Sequence, residues 1–254
     1  MQPRRHSQIL QLLEAQGPLA LGDLSRALQV SAETIRRDVR ALAEAGLAVR
    51  VHGAVGLAGQ MGEAPFERRM RENAAAKKAI ARVTAESIAD GDSLMLDTGT
   101  TTSFLARELL GHRRLTVVTN SSDIARTLAT VNGNRVFMAG GELRGDSGAA
   151  LGASALEFIR PFSVRHAIIS AGAADLRGVL DFDLQETEFA RAALACGDRR
   201  TVICDASKFG REGFLRVADW PMIDELVTDA PPFEDLAHVL AEHEVKVTLA
   251  GPNP

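Results

Sequence analysis

Apolar residues recur through the first fifty positions at helical spacing. Over 5–16, Ile9, Leu12 and Leu13 share one side and predict a helix, which Gly17 and Pro18 break. Leu21 to Leu28 predicts a second short helix with Leu24, Ala27 and Leu28 inward. A third is predicted over 31–46. Ser31 is a good N-cap, because its hydroxyl can accept from a free amide of the first turn. Ile35, Val39 and Leu42 follow at i, i+4 and i+7 and line one side. At about 100° per residue, Glu33, Arg37 and Arg40 point most directly away from it, with Thr34 and Arg36 on its flanks. Gly46 reads as the helix stop. Leu47 to Val51, which includes Arg50, then alternates like a strand, and His52 and Gly53 turn it back as the start of a β-wing.

The later chain follows a different rhythm. Residues 56–65 are rich in Gly, close on Pro65, and read as a linker. Phe66 to Ala89 predicts one helix, with Ile80, Val83, Thr84, Ser87 and Ile88 on its inner face. From Gly91 onward short β-like runs alternate with helical stretches. The runs lie at 93–96, 115–119, 135–139, 166–170, 201–204, 225–228 and 245–249, and the helices at 101–110, 121–130, 153–159, 185–196 and 233–243. Such alternation predicts an α/β domain, a mostly parallel sheet with helices on both faces.

The first segment carries a definite chemistry. A charged outer helix face is by itself usually just solvated. Here the helix, short turn and outward-facing helix form a helix-turn-helix with a wing beside it. A helix with an Arg/Thr front is what a DNA major groove admits and a base edge can read. Charge agrees: residues 1–57 carry a net +2 and the remainder −6, within a total of −4. The pattern is a small reader of double-stranded DNA joined to an acidic body, and not a wrapping, nonspecific binder.

Composition excludes several classes. The chain has 254 residues, 46% hydrophobic and 24% charged, as ordinary globular proteins do. No apolar run approaches the ~18 residues of a membrane span, and Met1 to Gln16 is too charged for a secretory signal. Cys196 and Cys204 give no disulfide framework and no zinc spacing with the six histidines. No metal, cofactor or membrane is expected, and a reducing cytoplasm fits.

Ligands of parallel sheets sit at the carboxyl ends of the strands. After the first predicted strand come Asp97, Thr98, Gly99, Thr100, Thr101 and Thr102. The glycine permits close backbone approach, the threonines offer hydroxyls, and the following helix offers free N–H groups, a natural seat for phosphate. The next strands end in Asn120, in Gly140 and Gly141, in Ser170 to Gly172, and in Asp205 to Lys208. Each alone could be turn chemistry. Five on one rim favour a small phosphorylated polyol or sugar. Neither a G-x-x-x-x-G-K-[ST] loop nor a G-x-G-x-x-G fingerprint occurs, which argues against nucleotides. Asp181, Asp183 and Glu186 precede a helix; they either cap and solvate it, or Glu186 accepts bonds from ligand hydroxyls.

Six stretches stand out together: Ser31-Ala-Glu-Thr-Ile-Arg-Arg-Asp38, Arg50-Val-His-Gly53, Asp97-Thr-Gly-Thr-Thr101, Val118-Thr-Asn120, Ala139-Gly-Gly-Glu-Leu143 and Asp205-Ala-Ser-Lys-Phe-Gly210. Through them, over nearly its full length, the chain resembles the bacterial DeoR-type sugar-phosphate-responsive repressors. Residues 178–186 and 228–232 look most like the branch that answers to glycerol 3-phosphate. Two places depart from the family pattern. Ala54 follows Gly53 where a second glycine is usual, and the fourth strand is followed by Ala171-Gly-Ala-Ala-Asp175 in place of an Ala-Asp-Gly run.

The resemblance implies a winged helix-turn-helix over 1–57, a linker over 58–73, and a sensing domain over 74–254 similar to ribose-5-phosphate isomerase. It implies a non-enzymatic repressor of carbohydrate or glycerol metabolism genes, a homodimer or homotetramer. Such a repressor leaves its operator when a phosphorylated small-molecule effector binds. Ser31, Thr34, Arg36, Arg37, Arg40, Arg50 and His52 would meet DNA. Asp97, Gly99, Thr100, Thr101, Thr102, Asn120, Gly141, Glu186 and Lys208 would meet the effector. The alternatives are an isomerase with a DNA-binding head, using Glu186, Asp183 or Asp175 as base, and a body that only oligomerises.

Overall fold

In a computed structural model of the chain, the described residues are 2–16, 19–51, 54–57 and 63–251. They divide into two compact units, Met1–Arg68 and Arg69–Pro254.

The first unit holds α1 (Gln2–Gln16), β1 (Leu19–Ala20), α2 (Leu21–Leu28), α3 (Ala32–Glu44), β2 (Ala48–Val51) and β3 (Ala54–Leu57). The strands form an antiparallel sheet in the order β1-β3-β2. The three predicted helices and the wing strand are all present. Ile9 and Leu13 from α1, Leu24 from α2, Ile35, Val39 and Leu42 from α3, and Val55 from β3 make one buried core. The expected linker start at 56 falls inside β3, and residues 58–62 and the His52-Gly53 turn lie outside the described residues.

The helix predicted from Phe66 to Ala89 is two helices. α4 (Phe66–Arg71) stops before Asn73, and α5 (Ala74–Glu86) begins after it. Asn73 stands at φ 52, in the left-handed region, which breaks the run of helical dihedrals. Ile80, Thr84 and Ile88 are buried as expected, but Ser87 is exposed.

The remaining elements alternate in chain order. They begin with β4 (Ser93–Leu96), α6 (Thr100–Glu108), β5 (Thr116–Thr119), α7 (Ser122–Leu128), β6 (Arg135–Met138) and α8 (Ala153–Ile159). Next come β7 (Val164–Ser170), β8 (Ala173–Asp175), β9 (Gly178–Asp181) and α9 (Leu184–Ala195). The last are β10 (Gly197–Ile203), β11 (Leu215–Ala218), β12 (Glu225–Thr228), α10 (Glu234–Glu242) and β13 (Lys246–Leu249). Seven strands form one parallel sheet in the order β13-β12-β10-β7-β4-β5-β6. Alternate residues of its strands enter two different cores. Met95, Ala167, Ile169 and Val202 join Ile159, Phe189 and Leu236 on one face. Leu94, Leu96, Ile168 and Ile203 join Ile80, Leu105 and Ile124 on the other. This is the period of two that a strand buried on both sides requires.

A smaller antiparallel sheet, β11-β9-β8, was not expected. Its strands are three or four residues long and lie in Gly-rich sequence, so they carry little alternation.

Candidate functional site

The first site is the outer face of α3. Ser31 Oγ accepts from the Thr34 amide at 3.2 Å and lies 2.9 Å from Thr34 Oγ1, so both hydroxyls fix the helix start. Arg36, Arg37 and Arg40 are exposed. Arg36 donates to Glu33 at 3.0 Å, and Arg40 Nε lies 3.5 Å from Glu44. Exposed pairs one turn apart are worth about 0.5 kcal/mol or less and yield easily to a polyanion. Arg37 makes no ion pair among the described residues, so it is the cation most available to a base edge. Arg50 lies in β2 with its backbone opposite Val55.

Sequence reading did not single out Asp38. It is fully buried and accepts from Arg5 Nε and, at 2.9 Å, from Arg5 Nη2, with His6 Nε2 at 3.5 Å. The Arg5 guanidinium bound to it holds its carboxyl below the usual range, against the opposing effect of burial. Arg5 thus ties α1 to α3 and is not one of the cations offered to DNA.

The second site is the carboxyl rim of the large sheet. β4 pairs with β5 on one side and β7 on the other, and the chain leaves β4 towards β5 before returning to β7. That is the topological switch point where parallel sheets open a crevice. Because the strands are parallel, the segments after β10, β7, β4, β5 and β6 lie side by side along this rim. Lys208, Ser170, the Asp97–Thr102 loop, Asn120 and Gly141 therefore follow one another in space. The Lys208 and Asp97 segments are two strand spacings apart, about 10 Å.

The loop after β4 is tightly built. The Ser170 amide donates to Asp97 Oδ1 at 3.1 Å and to Oδ2 at 3.2 Å. Burial pushes the Asp97 carboxyl well above its ordinary range, and the nearby charges of Asp181 and Glu186 push the same way. Thr102 is fully buried and donates to the carbonyls of Asp97 and Gly99 at 3.0 Å, so it braces the loop from within. α6 begins at Thr100 with Gly99 as its N-cap and no side-chain cap. Thr98 Oγ1 and Asn120 Oδ1, on adjacent strand ends, are buried without a partner. Asn120 Nδ2 donates to Ala150 O at 3.1 Å, which fixes the amide's orientation.

The acidic run 181–186 divides its roles. Asp183 is the N-cap of α9, accepting from the Gln185 and Glu186 amides at 2.9 and 3.0 Å. Glu186 accepts from Arg144 Nη1 at 3.0 Å, and Arg144 Nη2 reaches Asp183 and Gln185 at 3.2 Å each. Burial alone would raise the Asp183 carboxyl, but Arg144 and the helix amides outweigh it and hold it low. Arg144 went unnoticed in the sequence; its only signal is a lone cation in the Gly-rich loop after β6. It borders a cleft of about 320 Å³ with Glu142, Leu143, Gly145, Ala149, Leu151 and Gln185.

Comparison with known proteins matches both parts of the chain to described domains. Residues 5–60 match the DeoR-like helix-turn-helix domain, and residues 72–230 match the DeoR C terminal sensor domain. The chain is 35% identical over 249 residues to the Glycerol-3-phosphate regulon repressor of Escherichia coli (strain K12), covering 98% of this chain and 99% of that protein. It is 32% identical to the HTH-type transcriptional repressor CsqR of the same organism, over 96% and 94% of the two. Ribose 5 phosphate isomerase A from Neisseria gonorrhoeae superposes on 52% of the chain at 14% identity and a TM-score of 0.40. No helix among the described residues is long and apolar enough to cross a membrane. With both domain models matched and a named repressor 35% identical over 98% of this chain, the protein belongs to the DeoR family of DNA-binding transcriptional repressors.

Proposed function

We propose that the repressor is released from its operator by a short phosphorylated polyol, glycerol 3-phosphate foremost, held at the carboxyl rim of the seven-stranded sheet. The observation that carries this is the Asp97–Thr102 loop at the switch point, beside two orphaned polar atoms, Thr98 Oγ1 and Asn120 Oδ1. Each buried orphan costs about 1–3 kcal/mol, which a hydroxyl-rich guest would recover. Gly99, Thr100 and Thr101 with the α6 N-terminus, and Lys208 from the far side of the crevice, hold the phosphoryl group. Asn120, Gly141 and Glu186 face the polyol, and Asp97 and Thr102 keep the loop in shape. The printed name of the 35% identical Escherichia coli protein supports glycerol 3-phosphate.

On the DNA side, Arg37 reads bases, Arg36 and Arg40 divide between bases and phosphates, and Ser31 and Thr34 set the helix end. Arg50 and His52 add wing contacts. The segment over 58–73 joins a reader over 1–57 to a sensor over 74–254. The protein acts in the cytoplasm as a homodimer or homotetramer, so that two α3 helices enter successive major grooves.

The same site does not favour an isomerase. Of the carboxylates that reading needs, Glu186 and Asp183 are engaged by Arg144, and Asp175 by Arg177 at 2.6 Å. Melting the protein with a panel of polyol and sugar phosphates tests the proposal. A true effector at ~100 times its dissociation constant adds about 2.7 kcal/mol of stability. Turnover of ribose 5-phosphate, or no shift with any member of the panel, contradicts it.

A further inference from the structure

Asn73 separates α4 from α5, and its side chain does not serve its own helix. It occupies the N-cap position of α5 in the left-handed region, yet caps no amide there. Its Nδ2 instead donates to Asp205 Oδ1 at 2.9 Å and to Ser207 Oγ at 3.1 Å. Asp205 and Ser207 belong to the tight turn that presents Lys208. Asp205 is 2% exposed, caps this turn through the Ser207 amide, and also accepts from the Ser207 hydroxyl. The Ala206 amide donates to Asp229 at 2.8 Å. The Lys208 turn is therefore held by Asp229, just beyond β12, and by Asn73.

Asn73 also adjoins α4. Lys77 is 3% exposed, and its Nζ donates to the carbonyls of Arg69 and, at 2.8 Å, Glu72. A buried ammonium thus clamps the last turn of α4 onto α5. Within the first unit, Arg68 of α4 donates to Ala45 O at 2.8 Å, at the C-cap of α3. Its guanidinium fills the space under Gly46, where a Cβ would stand 1.7 Å from Nη1. Gly46 at φ +64 is thus required twice, by its backbone and by Arg68.

Given an effector at the Lys208 turn, as proposed above, we infer that Asn73 is the positioning residue through which occupancy of the rim reaches the operator-reading helix. A phosphoryl group that draws Lys208 inward moves the 205–208 turn. The Asn73 amide moves with it or lets go, and either response resets the α4–α5 joint and the grip of Arg68 on the end of α3. A non-glycine residue in the left-handed region is strained and persists only while its surroundings hold it, here the two side-chain bonds of Asn73.

Asn73→Gly keeps the backbone conformation and removes the amide. The full-length wild type and this variant are titrated with glycerol 3-phosphate by calorimetry. Both are then titrated with a DNA fragment that the wild type selects from a random pool, with and without that ligand. The variant should bind ligand within about threefold of wild type and free DNA equally well, while the ligand-induced loss of DNA affinity, roughly 5–150-fold in wild type, falls below about twofold. Asn73→Asp, which sets a carboxyl against Asp205, should uncouple in the same way. If Asn73→Gly melts far below wild type, Ser207→Ala decides: it should respond part-way, and a full response counts against the inference. Full ligand-driven release of Asn73→Gly, or loss of its ligand affinity, overturns the inference alone. A wild type that binds neither glycerol 3-phosphate nor any other polyol phosphate overturns the effector reading, and the inference with it.

Discussion

A Cβ placed on Gly99 would stand 1.9 Å from Ser170 Oγ. The backbone of Gly99 is extended, at φ −173, so glycine is demanded here by crowding and not by dihedral freedom. The same Ser170 grips Asp97 through its amide, so the ends of β4 and β7 are locked together at the mouth of the crevice.

Gly99→Ala should therefore force the loop away from β7. The expected cost is about 1–3 kcal/mol of sensor stability, as for other overpacked sites. Effector-induced stabilisation should be lost while the head still binds operator DNA. Melting curves with and without glycerol 3-phosphate, beside an operator titration, check both halves.

Asp97 gives a pH signature. Its carboxyl is raised in the fold by burial, so the folded chain takes up a proton more readily than the unfolded one. Its contribution to stability is present below the usual carboxylate range and lost as pH rises through its raised value. Asp97→Asn has no charge to bury and can still accept from the Ser170 amide. It should melt above wild type at neutral pH, and the difference should close as the pH falls towards ~4. A difference that stays constant across this range contradicts the assignment.

Arg37→Ala should weaken operator binding by about 1–3 kcal/mol and relax the sequence preference at the base it reads. Arg36→Ala and Arg40→Ala should cost less, because each already shares its charge with a glutamate. Affinity and footprinting on matched and mismatched operators decide between these roles.

The helix periods, the Ser31 cap and the parallel sheet were legible because each rests on local pattern. Ile35, Val39 and Leu42 share one helix face, and runs such as 93–96 and 201–204 are short and recur between helical stretches, which marks them as buried strands. The rim residues were legible for the same reason: they follow strands, and parallel strands end on one side. What escaped notice depends on contacts distant in sequence. Asp38 looks like one more charge on a helix until Arg5, 33 residues away, is found against it. Arg144 and Glu186 are 42 positions apart, and nothing local pairs them. The break at Asn73 is hidden by good helix formers on both sides, and its reason, Asp205, is 132 residues on. The β8, β9 and β11 strands are too short for periodicity to register.

In the proposed mechanism, a phosphoryl group at the rim, gripped by Lys208, controls the hold of α3 on DNA. The most direct measurement is the operator affinity of wild type and Lys208→Ala, each with and without saturating glycerol 3-phosphate. The two proteins should have equal affinities without ligand, with a fall of roughly 5–150-fold in wild type on adding it and no fall in Lys208→Ala. Release of Lys208→Ala as complete as that of wild type would contradict it.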